Sequence, residues 1–163
     1  MAVTIDTFIK HSCLRHSDNA ALRFKTQGVW TDMSYGALWT LSDRIAAGLI
    51  KNGFKPADHA AIIAASSPNW VATYLGILKA GGVVVPIDKE LKQGELRHIL
   101  ADCDATMVFT EQAYLDVLLE VIDEIPAISH CVLLNEPSAA QSGEEIATTI
   151  NRLQEEFALL CND

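Results

Sequence analysis

Ala60-Ala61-Ile62-Ile63-Ala64-Ala65-Ser66-Ser67-Pro68-Asn69-Trp70-Val71 is followed by Leu75-Gly76-Ile77-Leu78-Lys79-Ala80-Gly81-Gly82-Val83-Val84-Val85-Pro86, and these two runs decide the fold class. The first six residues are apolar without alternation, the pattern of a strand covered on both faces in a parallel sheet. Ser67 is a natural helix cap, Pro68 suits the first helical position because no amide hydrogen is needed there, and Gly81 follows the last turn. Between them only Asn69, Thr73 and Lys79 are clearly polar, so a helix over 68–80 is expected to be buried over most of its circumference. Gly76 inside it costs about 1 kcal/mol against alanine and is read as a packing glycine. Val83-Val84-Val85 is a second buried strand, ended by Pro86, which cannot supply a ladder donor.

The same rhythm continues downstream. Leu91, Leu96, Ile99 and Leu100 belong to a helix around 95–101, residues 106–110 form a strand, 113–122 a helix and 130–134 another strand. Upstream, Ser34 caps a helix with Leu38, Leu41, Ile45 and Leu49 in one stripe, while Thr40, Asp43, Arg44 and Lys51 face away; Gly53 sits where a left-handed cap closes it. Residues 20–25 and 29–33 flank Thr26-Gln27-Gly28 and read as a hairpin. Thr4 caps a first helix that packs through Ile5, Phe8, Ile9 and Leu14. Strands alternating with helices imply right-handed crossovers. The fold class is therefore α/β: a layered, mostly parallel sheet flanked by helices, with an N-terminal antiparallel hairpin.

Composition sets the outer limits. The chain has 163 residues, half of them apolar, and a formal charge of -9 from 21 acidic against 12 basic side chains. That fits one domain with a sizeable core, and no basic cluster favours nucleic acid or anionic lipid as a partner. Cys13, Cys103, Cys131 and Cys161 are scattered without a CxxC pair or histidines at metal-ligand spacing, so buried, reduced thiols are expected. No apolar run is long enough to span a bilayer and the first residues lack a leader pattern, which points to a cytoplasmic protein.

Residues 135–143 shift in composition and read as a loop. Beyond them Ile146, Ile150, Leu153, Phe157 and Leu160 recur at helical steps, so residues 144–163 are expected to form a terminal amphipathic helix with a narrow seam. The seam is expected to fold back on the sheet or to pair between chains as a homo-oligomer.

Few residues suggest chemistry. Ser66 and Ser67 follow a parallel strand, where α/β ligands bind, but the loop lacks the glycines that let amides approach a phosphate, so a capping pair is the reading adopted. Gly81-Gly82 follows a helix and enters a strand, the reverse of a dinucleotide fingerprint. His11, His16, His59, His98 and His130 show no nucleophile–base pattern. Asp43 with Arg44 and Glu95 with Arg97 read as helix-surface charges, and Trp30, Trp39 and Trp70 as packing anchors.

Ser34-Tyr35-Gly36-Ala37-Leu38, residues 41–49, Ser67-Pro68-Asn69-Trp70-Val71, residues 75–86 and Val108-Phe109-Thr110 resemble, in order and spacing, the opening of the large domain of adenylate-forming enzymes. That family includes acyl-CoA synthetases, peptide-synthetase adenylation domains and luciferases. The resemblance covers nearly all of residues 1–163, most strongly 34–110, and corresponds to about the first quarter or third of a family member. It departs at Ala57-Asp58, where Gly-Asp is frequent, and at Ala65-Ser66, where Pro-Asn is frequent.

The resemblance implies an α/β parent that joins a carboxylate to the α-phosphate of ATP, releases pyrophosphate, and passes the acyl group to coenzyme A or another acceptor. Magnesium accompanies ATP. The family's Ser/Thr/Gly-rich phosphate loop, its adenine and ribose motifs and its C-terminal lysine have no counterpart here; Ser142-Gly143-Glu144 echoes the loop but lacks its second glycine and lysine. The expectation is a catalytically incomplete fragment of a ligase, whose partner is the remainder of the parent enzyme, with no catalytic, cofactor-binding or metal residue assigned. The alternative is a freestanding interaction or regulatory module that docks through its terminal helix.

Overall fold

The computed structural model describes residues 4–134; the loop expected at 135–143 and the helix expected at 144–163 lie outside the described residues. The order of elements is α1 (Ile5–Arg15), β1 (Ala20–Thr26), β2 (Val29–Ser34), α2 (Tyr35–Lys51), β3 (His59–Ile63), α3 (Pro68–Lys79), β4 (Val83–Pro86), α4 (Gln93–Asp102), β5 (Ala105–Thr110), α5 (Gln112–Ile122) and β6 (His130–Leu133). β1 and β2 form an antiparallel ribbon, and the other strands form one parallel sheet in the order β4-β3-β5-β6.

Local chemistry explains the boundaries. Ser34 Oγ accepts from Ala37 N at 3.1 Å and Ser67 Oγ from Trp70 N at 3.2 Å, so both helices start on the expected caps. The hairpin turns on Gln27 and Gly28, both at positive φ (49° and 83°), the primed geometry that follows the twist of the strands. Arg23 lies opposite Asp32 across this ribbon, with Nε to Oδ1 at 2.7 Å, and both side chains are substantially exposed.

The parallel sheet carries an apolar layer on each face. Ala60, Ile62, Met107 and Phe109 face α2 and α3, whereas Ala61, Ile63 and Val108 face α4 and α5. β5 reaches this alternation through a bulge: His59 pairs with Ala105, but Ala60 pairs with Met107, leaving Thr106 as the extra residue. Thr106 Oγ1 donates to the carbonyl of His59 at 3.3 Å, and the Thr106 carbonyl accepts from Ser129 N at 2.8 Å. Ala105 therefore joins the α4/α5 layer even though Met107, two residues on, joins the opposite one.

α3 is the central buried helix, with Ala72, Thr73, Leu75, Gly76 and Ile77 all buried, and its close neighbour is α2. The first helix packs differently from the sequence expectation. Ile5, Phe8 and Leu14 are 55%, 67% and 68% exposed, and the inward side of α1 is Cys13 with half-buried Ile9, one turn apart. Trp30 also departs from a packing role: it is 63% exposed at the hairpin, where Lys25 Nζ sits 5.0 Å from its ring centroid. Of the cysteines, Cys13 is buried and Cys103 and Cys131 are half-buried free thiols. Among the described residues no helix is long and apolar enough to cross a membrane.

Candidate functional site

Strand order 4-3-5-6 makes the chain reverse its direction of travel across the sheet between β3 and β5. The α3 crossover consequently lies on the face opposite α4 and α5, and a crevice opens between the carboxyl ends of β3 and β5, where ligands of open α/β sheets bind. Ser66 and Ser67 leave β3 at this point and Glu111 leaves β5.

This edge is held together by bonds that run past the regular ladder. Ile87 N donates to Ile62 O at 2.9 Å, Leu134 N to Thr110 O at 2.8 Å, and the buried Thr110 Oγ1 to Ile63 O at 3.0 Å. Asn69 Nδ2 then donates to Leu134 O at 2.6 Å, tying the first turn of α3 to the residue after β6. Every strand of the parallel sheet is thereby fixed at its carboxyl end.

The crevice has the wrong polarity for a nucleotide phosphate. Ser67 Oγ accepts from Trp70 N, and Glu111 Oε2 accepts from Ala65 N at 3.4 Å, so two amides are already engaged and a carboxylate stands where a phosphate would need donors. The described residues at this point do not fit an ATP-magnesium cradle, and no group of His, Cys, Asp or Glu among the described residues is arranged to hold a metal ion. Beside the crevice, a cleft of about 40 Å³ is lined by residues that include Asp88, Lys89 and Tyr114; it is too small for more than a water-sized guest.

The larger concavity lies elsewhere. An open apolar groove of about 490 Å³ runs between α1, β1 and α3, with Ile9, Leu22, Tyr35, Val71 and the stacked rings of Trp70 and Tyr74 (centroids 5.5 Å apart) on its walls. Among the described residues, none that lines it carries a charge.

The histidines do not meet at either place. His59 begins β3 and His130 begins β6, so both lie at the amino ends of the strands; His59 Nδ1 contacts the carbonyl of Cys103, and His130 Nδ1 lies 2.8 Å from Ser129 Oγ. His11, His16 and His98 are exposed on or beside helices. The thiols of the described residues are not activated: burial raises Cys13 and Cys103, and it pushes Cys131 up to about 12; Cys161 lies outside the described residues.

Several polar residues matter more than their sequence pattern suggests. Lys79, with its side chain only 8% exposed, donates to Asp43 Oδ1 at 2.7 Å and to Trp39 O at 3.0 Å, and its Nζ stands 3.1 Å from the Trp39 ring centroid. Asp43 is thus a cross-helix partner rather than a plain surface charge. Arg97 likewise reaches Glu124 at 2.9 Å, and Glu95 Oε2 accepts from Lys92 N at the start of α4. Asn69 and Glu111 make contacts separated by 65 and 46 residues, and the only hint of either in the sequence is that Glu111 directly follows the apolar run of β5.

The family model described as AMP-binding enzyme matches residues 9–157. The chain belongs to the AMP-binding enzyme family. The long-chain-fatty-acid–CoA ligase ACSBG1 of Homo sapiens is 32% identical over 124 residues, a match that covers 76% of this chain and 17% of that protein. Tyrocidine synthase 3 of Brevibacillus parabrevis is 35% identical over 130 residues, covering 79% of this chain and 2% of the relative. Among solved structures, an acyl-CoA synthetase of Brucella canis superposes with a TM-score of 0.74 at 20% identity, over 92% of this chain and 27% of that one. The last comparison bears on the fold, which agrees with the family's α/β architecture. The chain spans about a sixth of the length of the ligase ACSBG1.

Proposed function

We propose that residues 1–163 form the opening portion of the large domain of an ATP-dependent acyl-CoA ligase and supply its scaffold rather than its reacting groups. The observation that carries this reading is the crevice at the β3/β5 reversal, where Glu111 sets a carboxylate and the amides of Ala65 and Trp70 are already engaged. Adenylation needs cationic and backbone donors aimed at developing charge. In this reading those donors, together with ATP, magnesium and coenzyme A, belong to the remainder of the parent enzyme. Residues 135–143 connect the sheet to a terminal amphipathic helix at 144–163. A fatty carboxylate as substrate is supported by the likeness to the long-chain-fatty-acid ligase. The cytoplasm is the proposed location, supported by widely scattered cysteines with no disulfide framework.

The test is carboxylate-dependent exchange between pyrophosphate and ATP, run on the purified chain with medium- and long-chain fatty acids and with benzoate. No exchange above a no-enzyme control is expected. Exchange supported by any of these acids would overturn the scaffold reading.

A further inference from the structure

Asn52-Gly53 is the one Asn–Gly step in the sequence, and it falls where α2 ends. Gly53 is exposed and adopts φ 84°, with nothing within 4 Å of where a Cβ would stand. Its amide donates to Ile50 O at 3.1 Å and that of Phe54 to Leu49 O at 3.0 Å, the paired bonds of a Schellman ending, and the side chains of Leu49 and Phe54 are both buried. Asn52 is half-buried, and its Nδ2 donates back to Gly48 O at 3.0 Å. A carbonyl partner requires the amide nitrogen, not the oxygen, on that side.

From this geometry we infer that Asn52 is a deamidation site whose reaction is gated by opening of the end of α2. The chemistry needs only water and hydroxide. Hydroxide takes the proton from Gly53 N, the nitrogen attacks Asn52 Cγ, and a cyclic imide closes as the Cγ–Nδ2 bond breaks and Nδ2 leaves as ammonia, taking a proton from water. Water then opens the imide at one carbonyl or the other, leaving an aspartate or an isoaspartyl link in which the chain runs through Cβ and Cγ. One water is consumed and one ammonia released. Glycine suits the attack because no side chain hinders its nitrogen.

The folded end holds each reacting group. Ring closure eclipses the Cα–Cβ bond of Asn52 with the C–N bond to Gly53, far from the ψ of 19° found there. Turning that bond swings Gly53 and Phe54 away and breaks both Schellman bonds, and the Gly53 proton and the leaving amide must also quit Ile50 O and Gly48 O. Local opening is therefore a precondition of the reaction. Reclosure afterwards is impaired: an aspartate has no donor for Gly48 O and sets a negative charge at the negative end of the helix, whereas an isoaspartate lengthens the backbone ahead of Gly53. The change also reaches the entry to β4, because Phe54 fills the space that a Cβ on Gly82 would take.

The experiment incubates the full chain at mildly alkaline pH, native and unfolded in urea, and follows loss of Asn52 by peptide mass, isoaspartate by enzymatic methylation, and hydrogen exchange at the Gly53 amide. Both reactions need the same nitrogen to lose its proton to hydroxide. Asn52 is expected to react at least about ten-fold more slowly in the native chain than in urea. In urea, Gly53→Ala should slow the reaction at Asn52 by at least about five-fold, since a Cβ then crowds the attacking nitrogen. Phe54→Leu, which loosens the buried staple, should speed native deamidation and Gly53 exchange together by at least about three-fold. Urea below the unfolding transition makes the same comparison on the unaltered chain, where the two rates must again rise together. Equal rates at Asn52 in the native chain and in urea would overturn the gating. Loss of Asn52 in urea no faster than that of the other asparagines, or unaffected by Gly53→Ala, would overturn the site. Exchange that quickens without deamidation, in Phe54→Leu or in mild urea, would overturn the link between the two.

Discussion

Gly76 stands against Ile45 across the α2–α3 interface: a Cβ on Gly76 would lie 2.6 Å from Ile45 Cγ2, 2.8 Å from Ile45 Cβ and 3.2 Å from the carbonyl oxygen of Ser42. The two helices approach this closely only because one side chain is missing. Gly76→Ala gains helix propensity worth about 1 kcal/mol but overpacks the interface at a cost of about 1–3 kcal/mol. Since the obstacles include a branched carbon and backbone, the expected net loss is about 1–2 kcal/mol, read as a lower urea midpoint. Ile45→Ala in the same chain should recover part of that loss, giving a negative coupling in a double-mutant cycle. Strict additivity would show that the contact is not the cause.

Ala57 occupies the third position of the Lys55-Pro56-Ala57-Asp58 turn at φ 72°, closed by Asp58 N to Lys55 O at 3.0 Å. An L-residue in that region costs about 1–2 kcal/mol, offset by the larger entropy that glycine loses on folding. Ala57→Gly should raise stability by about 0.5–1 kcal/mol with an unchanged denaturant slope. A midpoint that falls would refute the strain argument.

Thr73 is fully buried in α3, and its Oγ1 has no hydrogen-bond partner. Replacing an unsatisfied hydroxyl with a methyl group of similar size removes a desolvation cost. Thr73→Val should stabilise the chain by about 1 kcal/mol in urea titration; a loss of stability would mean that the hydroxyl is satisfied in solution.

Cys131 faces the α4/α5 layer, and burial pushes its thiol up to about 12 from an ordinary 9.0. The raised value favours the protonated folded state, so its contribution to stability is complete below about pH 9. As pH rises from there towards 12, the unfolded chain ionises first and stability falls by up to about 1.4 kcal/mol per pH unit from this group. Cys131→Ala should flatten the decline between pH 9 and 10.5 relative to the parent chain. Equal slopes for the two would remove Cys131 from the account.

How much was readable in advance depends on the range of each interaction. Ser34, Ser67, Gly53 and Gly81 announce helix ends because capping is settled within four residues, and Gly53 and Gly81 do adopt φ near 84° and 82°. The positions of the parallel strands were readable from their apolar runs, with shifts at the ends: β3 begins at His59 rather than Ala60 and stops at Ile63, and β4, expected as a buried strand, lies at the edge of the sheet with Val83 exposed and Val84 and Val85 half-buried. The face of α1 was not readable, because Ile5, Phe8 and Leu14 have the right period but α1 meets α2 and α3 through Ile9 and Cys13 instead. Nor were Asn69 with Leu134 or Glu111 with Ala65, whose partners become neighbours only once strand order is fixed. The capping role of Ser67 was legible; the carboxylate across the crevice was not.

The extra residue in β5 separates the strand's inside–outside phase from that of the segment feeding it. Ala105 pairs with His59 ahead of the bulge, whereas Met107, Val108 and Phe109 pair with Ala60, Ala61 and Ile62 beyond it. Thr106 acts as an expansion joint between the two. A residue gained or lost in the Cys103-Asp104 connection can therefore be absorbed before Met107, without turning the strand over, whereas the same change after Met107 would exchange the two apolar layers of the sheet.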